Sequence, residues 1–287
     1  MFGRFWIEWR WIAAARWLLL AALFLPLAAT AQFDHSHAAW TALLKKHVQL
    51  VDGDKASRLS YAGMAADRAA LKAYLDALSA VSEGEFKAWT KPRQMAFLLN
   101  AYNAYTVEKI LTRYPNLKSI RDFGTVFGNP WKDKFFRLFG RDAWLDHLEH
   151  DLLRAKGVYD EPRIHFAANC ASLGCPMLRE EAYVGERLEA QLEEQTRRFL
   201  SDRSRNRFNP KTSRLEVSRI FDWYKEDWTS GYRGISVDVA PIVSREQYFA
   251  RYAALLADAP ADRNIIFQGK AALEFLDYDW ALNDRPR

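Results

Sequence analysis

One segment in the middle of the chain, residues 92–113, has the apolar spacing of a long helix, and this pattern constrains the fold most. Its apolar side chains recur at three- and four-residue intervals: Ala96, Leu99, Ala101, Tyr102, Val107, Ile110 and Leu111. Thr90 supplies an N-cap and Pro92 suits the first turn, while Tyr114-Pro115 ends the pattern. Such a helix needs a core around it, so we expect a globular domain.

Weaker patterns along the rest of the chain complete the fold prediction. A short element at 163–168 follows Pro162, which favours a helix there. Apolar periodicity predicts further helices at 38–50, 67–80, 142–155, 186–200, 218–228 and 245–257, and strands at 214–217 and 271–278. The sequence therefore predicts an α+β fold, a predominantly helical single domain over 32–287 with a small β-sheet.

Composition excludes several classes of protein. Hydrophobic residues make up 49% and aromatic residues 14% of the 287, which excludes a disordered chain. The full chain has a net charge of +5, and the predicted mature chain, with 38 basic and 35 acidic residues, has +3; this is too mild to indicate a nucleic-acid-binding protein, so we expect no nucleic acid partner. The two cysteines exclude a disulfide-dense scaffold.

Residues 1–31 have the pattern of a signal peptide. Basic residues lie before the apolar run 17–29, and Ala29-Thr30-Ala31 offers small residues at a cleavage site, so Gln32 would begin the mature chain. The alternative is an uncleaved membrane anchor, for which the apolar run is short of the ~20 residues that span a bilayer. No second apolar stretch of that length follows. We expect an exported, periplasmic protein with no stable membrane span in the mature chain.

The densest group of reactive side chains lies within residues 163–176. It holds both cysteines of the chain, Cys170 and Cys175, together with His165 and Asn169. A thiol becomes a nucleophile beside a base or a positive charge, and His165 is close enough in sequence to serve as that base. The alternatives are a structural Cys170–Cys175 disulfide, which an oxidising compartment favours, and two inert buried thiols.

Four further residues are alternate site candidates. Asn100 and Asn103 are neighbours on one face of the central helix, where they would contact a ligand or, as we favour, hold a buried hydrogen-bond network. Glu149 and His150 lie in a second polar cluster, 146–151. Its spacing lacks one residue of the inverted zinc motif, so we predict no metal site and no cofactor.

Two segments mix large aromatic side chains with acids, and one mixes them with bases. Residues 220–228 and 276–283 are interpreted as aromatic wedges that close a core, with aspartates bonding the backbone. Residues 131–141 would form a packed turn with a solvated basic side, or an amphipathic patch that touches anionic polymer or lipid.

Six ordered motifs together resemble the domain of unknown function 547 family over about 60–283. They are Ala96–Ala104, Leu148-Glu149-His150, Arg163–Pro176, Glu181-Ala182-Tyr183, Ile220–Tyr224 and Asp277–Asn283. The family usually has Trp-Ile where this chain has Leu98-Leu99. The resemblance implies no assigned activity. It implies occurrence in bacterial exported proteins and in plant proteins with a leucine-zipper segment, and the plant proteins indicate an interaction role. The Cys, His and Asn content also matches what a cysteine hydrolase or transamidase of the papain or transglutaminase kind requires.

Two functions remain open from the sequence. The first is a thiol-dependent hydrolase or transferase that acts on peptide or amide bonds in the envelope. In it one cysteine attacks and His165 is the base, Asn169 or Asn100 orients the imidazole, and Ser172 with nearby amides holds the oxyanion. The second is a non-catalytic binding module with a Cys170–Cys175 staple, whose partner is an unknown envelope peptide or protein.

Overall fold

The central helix Lys91–Leu111 is buried on every side from Met95 onwards in the computed structural model of the chain, which describes residues 32–124, 129–235 and 240–285. A helix without a polar face must be surrounded by other elements. Pro92 lies in the first turn as predicted, whereas Thr90 occupies the N-cap position without a capping bond from its side chain.

The other elements are short and wrap this helix. The α-helices span Ala38–His47, Tyr61–Ala66, Arg68–Ala80, Glu83–Ala88, Lys91–Leu111, Leu188–Leu200, Ile220–Trp223, Arg245–Arg251, Ala253–Leu256 and Pro260–Phe267. In the described residues, five 3₁₀ turns lie at Ile120–Phe123, Pro130–Lys132, Pro162–Phe166, Gly185–Arg187 and Lys225–Trp228, and one π-helix lies at His147–Leu153.

Seven strands in the described part of the chain form small separate sheets. They are Val48–Val51, Ala56–Leu59, Phe136–Leu138, Arg141–Ala143, Arg207–Asn209, Arg214–Ser218 and Ala272–Leu276. Two antiparallel hairpins use the first four. In the three-stranded sheet, Arg214–Ser218 is central, antiparallel to Arg207–Asn209 and parallel to Ala272–Leu276. The chain is about half helical with 13% strand, which confirms the predicted mostly helical α+β class.

Two predicted helices are interrupted for local reasons. The helix predicted at 38–50 ends at His47, because Val48–Val51 turns into a hairpin whose tip carries left-handed Asp52 and Gly53. The segment 142–155 starts as a strand, since Arg141–Ala143 pairs with Phe136–Leu138. Only after it does the chain become helical, in the π form.

Aromatic packing decides between the two interpretations of residues 131–141. Phe136 stacks on Tyr105 at 3.8 Å between ring centroids, and Phe139 packs on Phe86 at 4.7 Å. Lys132 remains two-thirds exposed at the side chain. This is the packed turn with a solvated basic side.

A second aromatic core lies towards the C-terminus and confirms the wedge interpretation for part of 220–228. Phe221 and Trp228 are fully buried, with ring centroids 5.0 Å apart, and pack with Phe166 and Phe249. This core fixes the position of the segment that leads from Phe166 to the cysteines.

The contacts divide the chain into Met1–Phe33 and Asp34–Arg287. The predicted signal peptide lies outside the described residues, so cleavage after Ala31 stays a prediction. No helix within 32–124, 129–235 or 240–285 is both long enough and apolar enough to cross a bilayer.

Candidate active site

A cavity of about 220 Å³ opens beside the central helix and collects most of the candidate residues. Six of its lining side chains are carboxylates, imidazoles or thiols: Asp146, Glu149, His150, His165, Cys170 and Cys175. Six more are aromatic: Tyr102, Trp131, Trp223, Tyr224, Tyr278 and Trp280. A concave site with a few convergent polar groups is the usual form of a ligand or active site.

The loop that carries the thiols is held by the C-terminal segment. Leu173 N–H donates to Ala281 O at 2.8 Å, and Gly174 N–H donates to Asp279 O at 2.8 Å. Gly174 must be a glycine, because a Cβ there would lie 2.9 Å from the Asp279 amide nitrogen. Ala171, directly after Cys170, has a left-handed φ of 63°, a strained conformation for alanine that tends to occur at functional sites.

The pKa values of the two thiols are shifted in opposite directions. Cys170 Sγ lies 3.2 Å from the Ser172 and Tyr278 hydroxyl oxygens. The pKa of Cys170 is lowered, mainly by its hydrogen bond with the Cys175 side chain and then by those hydroxyls, which together outweigh burial. Burial raises the pKa of Cys175 well above its usual value. Cys170 is therefore the thiol that ionises first.

Both cysteines are free thiols, near each other but not at disulfide distance. The Cys170 backbone N–H donates to Cys175 Sγ at 2.9 Å, so Cys175 already closes the loop without a covalent bond. The oxidised staple stays a prediction about the protein in its compartment.

His165 faces a carboxylate rather than a thiol. Its Nε2 lies 2.7 Å from Asp227 Oδ2, and Arg154 binds both oxygens of the same carboxylate at 2.7 and 3.1 Å. Burial raises the pKa of Asp227, but the bonds from His165 and Arg154 lower it to about 2. Burial of His165 lowers its own pKa, so the ring is neutral near pH 7.

The partner of Nε2 decides which tautomer His165 adopts. An ionised Asp227 only accepts hydrogen bonds, so Nε2 carries the proton and Nδ1 is the basic nitrogen. Within the described residues no hydrogen bond is made by Nδ1, and none joins His165 to either thiol. The ring stacks on Tyr224 at 3.8 Å, which fixes its plane.

The predicted asparagines hold the loop rather than the imidazole. Asn103 accepts from the Asn169 N–H at 2.8 Å and donates to Ala167 O at 3.0 Å. Asn169 in turn donates to Pro176 O at 2.7 Å and accepts from the Ala171 N–H at 3.0 Å. Asn100 bonds the backbone N–H and C=O of Tyr183. These bonds are the buried network that the sequence favoured.

Glu149 and His150 lie on the π-helix His147–Leu153, whose widened turn is marked by the bond from Arg154 N–H to Glu149 O at 2.9 Å. Such turns are rare and frequent at functional sites. His150 Nδ1 accepts from Arg154 at 2.5 Å. Within the described ranges no group of three His, Cys, Asp or Glu side chains is placed to hold a metal ion.

Four site residues were missed by sequence reasoning: Arg154, Tyr224, Asp227 and Tyr278. Asp227 is 62 residues from His165, and Tyr278 is 108 from Cys170, so spacing alone gives no sign of either contact. Tyr224, Asp227 and Tyr278 did belong to the two aromatic–acid segments. Those segments were assigned to the core, although part of each lines the cavity.

Sequence comparison identifies one domain. Residues 86–200 match the family described as "Protein of unknown function, DUF547", so the chain contains a domain of this family over that range. The range holds Glu149, His165 and both cysteines, whereas Asp227 and Tyr278 lie beyond it. Searches for similar curated proteins and for similar solved structures find no match.

Proposed function

We propose that the protein is an exported, periplasmic enzyme of the cell envelope, a thiol-dependent hydrolase or transferase that acts on peptide or amide bonds, with Cys170 as the nucleophile. One observation carries this proposal: the Cys170 thiol has a lowered pKa, lies beside two hydroxyls and lines the same 220 Å³ cavity as the neutral imidazole of His165. A thiolate at neutral pH is the reactive form of cysteine.

The Asp227–His165 pair supplies the base. Asp227 keeps the Nε2 proton in place, so Nδ1 can take the proton of the Cys170 thiol. Since no hydrogen bond joins the two residues within the described chain, the proton passes through one bridging water when substrate is bound.

The reaction that follows balances with these groups alone. Cys170 Sγ forms a bond to the carbonyl carbon, and the C=O electron pair moves to oxygen. When it returns, the C–N bond breaks and the leaving amine takes the proton from His165 Nδ1. Water, or a second amine in a transferase, then attacks the thioester, gives its proton to Nδ1 and releases the Cys170 thiolate, which recovers a proton from His165.

Oxyanion stabilisation falls to side-chain hydroxyls. The backbone N–H groups of Cys170, Ala171, Leu173 and Gly174 already donate to protein acceptors. The Ser172 hydroxyl is 3.0 Å from that of Tyr278, and both adjoin the nucleophile. The amides named in the sequence hypothesis are therefore engaged, and these two hydroxyls are the nearest donors.

A non-catalytic binding module is the second candidate. Two observations favour it. Among the described residues no hydrogen bond joins His165 to a thiol, and aromatic side chains surround the cavity. In this role the cavity would take an envelope peptide or protein segment, and a Cys170–Cys175 disulfide would only stabilise the loop.

Thiol labelling separates the two candidates. The mature protein is alkylated across a pH series, without and with prior reduction, and the label is located by peptide mass spectrometry. If the protein is an enzyme, Cys170 is labelled before reduction, faster than a model thiol at pH 6, while Cys175 is labelled slowly. Cys175→Ala should still be labelled at Cys170, but more slowly, because it removes the hydrogen bond that most lowers the pKa of Cys170. Label at neither cysteine before reduction, or Cys170 no faster than the model thiol, would leave the binding module.

A further inference from the structure

The carboxylate of Glu149 is buried without a charge partner. The residue is 8% exposed, and its Oε1 accepts a hydrogen bond from the Tyr224 hydroxyl at 2.6 Å. Within the described chain no Lys, Arg or His nitrogen lies within ion-pair distance of it. The nearest guanidinium along the helix, Arg154, is already bound by Asp227 and His150. Buried glutamates are almost always paired, because an isolated buried charge is costly.

Glu149 lines the cavity rather than the core. Among the described residues its Oε2 makes no hydrogen bond, and it is not one of the oxygens sealed from solvent without a partner. The π-helical turn that begins at its carbonyl sets it there. A cation that enters the cavity would meet this oxygen.

One wall of the cavity is aromatic. Trp223 and Trp280 are stacked with ring centroids 5.6 Å apart, and Trp131 meets Trp280 edge-on at 5.9 Å. Trp223 remains 44% exposed. No Lys or Arg within the described ranges lines the cavity. Arg121, which is not part of the lining, lies over the Trp280 ring at 5.3 Å from its centroid and already occupies a face of that ring. Tryptophan faces attract cations, and most strongly where water is excluded.

We propose that this cavity binds a primary alkylammonium group, which pairs with Glu149 and contacts the partly exposed Trp223 ring. The inference rests on the proposed function and deepens it: the amide that Cys170 attacks belongs to a substrate with a free amine, such as a lysine-like side chain. Asp146, the second carboxylate of the lining, adds negative potential, although it lies 3.4 Å from His150 and 4.0 Å from Lys132.

Two probes that differ only in the ammonium test the proposal. N-acetyl-lysine methylamide and N-acetyl-norleucine methylamide are titrated into full-length Cys170→Ala, which cannot turn over, and binding is followed by tryptophan fluorescence. We expect the lysine probe to bind about tenfold more tightly, in line with a desolvated charge contact. Glu149→Gln in the same background should bring the two affinities together, since glutamine keeps the Tyr224 bond and loses the charge.

Glu226→Gln provides the matched control. Glu226 is an exposed glutamate outside the cavity lining, so its loss should leave the lysine preference unchanged. Equal affinity for the two probes, or binding of neither, overturns the ammonium site. Neither result affects the interpretation of the Cys170 labelling experiment, which tests the enzyme proposal separately. A lysine preference that survives Glu149→Gln also overturns the role of this carboxylate.

Discussion

The Sγ of Cys170 and the hydroxyl of Tyr278 lie 3.2 Å apart, although 108 residues separate them in the chain. The same hydroxyl reaches Ser172 at 3.0 Å, so it links the nucleophile to the hydroxyl beside it. Burial raises the pKa of Tyr278 well above its usual value, so the phenol keeps its proton and can donate it to a thiolate.

Tyr278→Phe should slow alkylation of Cys170 at pH 7 by about tenfold, because a hydrogen bond to a charged group is worth about 1.5 kcal/mol or more. The midpoint of the pH–rate profile should move to higher pH. Phenylalanine keeps the ring contacts with Trp223 and Trp280, so thermal stability should change little. Tyr252→Phe, which removes a hydroxyl bound to Glu193, is the control. An unchanged profile in Tyr278→Phe would show that the phenol does not act on the thiolate.

Asp227→Asn should impair His165 as a base while leaving a side chain of the same shape. The amide can donate to Nε2 and so favours the tautomer with its proton on Nδ1, the wrong nitrogen for accepting one. We expect turnover to fall at least about a hundredfold, with KM changed less than kcat. Arg154 loses its ion pair at the same time, so Arg154→Met is measured beside it. Equal losses in kcat for both variants would assign Asp227 a structural role.

The free energy of unfolding should fall as the pH drops below 6.5, because His37 is buried in its neutral form. Burial lowers the pKa of His37 from 6.5 to about 4, so the unfolded chain binds the proton more tightly than the folded one. The stabilisation is present above pH 6.5 and is lost as the pH falls towards 4, by ~3 kcal/mol at 1.36 kcal/mol per pKa unit.

His37→Asn tests this pH dependence, since asparagine tolerates the left-handed φ of 48° at this position. Chemical denaturation at pH 7 and pH 5 gives two free energies of unfolding for each protein. The difference between them should be smaller in the variant, whatever its absolute stability. His165 has a lowered pKa as well and adds to the slope of both proteins in the same direction. Equal differences in wild type and variant would contradict a buried neutral His37.

Asn103→Leu should cost about 1–3 kcal/mol, because it strands the Asn169 N–H and the Ala167 carbonyl. It should also slow Cys170 labelling, since both stranded groups lie just before the thiol. Asn100→Leu is a matched variant on the same helix: it strands the Tyr183 backbone and should cost similar stability with labelling unchanged. If Cys170 labelling slows equally in both variants, or in neither, Asn103 has no specific role in positioning the thiol loop.

N-terminal sequencing of the exported protein should give Gln32 as the first residue, because Ala29-Thr30-Ala31 matches the small-residue requirement of the cleavage site. Ala31→Leu is expected to block processing and leave the longer chain. A full-length protein that stays in membranes after a carbonate wash would instead identify 1–31 as an anchor.

Local patterns were enough to predict the central helix and the fold class. The apolar spacing of 92–113 and the proline at its start predict Lys91–Leu111 to within two residues at each end. A buried helix shows apolar residues at three- and four-residue intervals, which can be seen in the sequence. The hairpin at 136–143 was missed because each of its strands is three residues long, too short for an alternation to show.

The thiols and His165 were predicted as site residues from their chemistry, and they line one cavity. The orientation of His165 could not be predicted, because Asp227 reaches it through the packing of Trp228 against Phe166. Glu149 was an alternate candidate in a segment predicted as an ordinary helix. Its exposure to the cavity depends on a π turn, for which the sequence has no recognised signal.

Because hydrogen bonds join residues 173–174 to residues 279–281, the surroundings of the thiol are complete only after the C-terminal segment has been synthesised. At ribosomal rates of about 5–20 residues per second, the phenol at 278 emerges some seconds after Cys170. Until then the nascent thiol lacks Tyr278 as a donor and the loop lacks its last anchor. A chain interrupted in that interval would carry a Cys170 whose pKa is lowered less, so an unfinished copy would have a less reactive thiol than the complete protein.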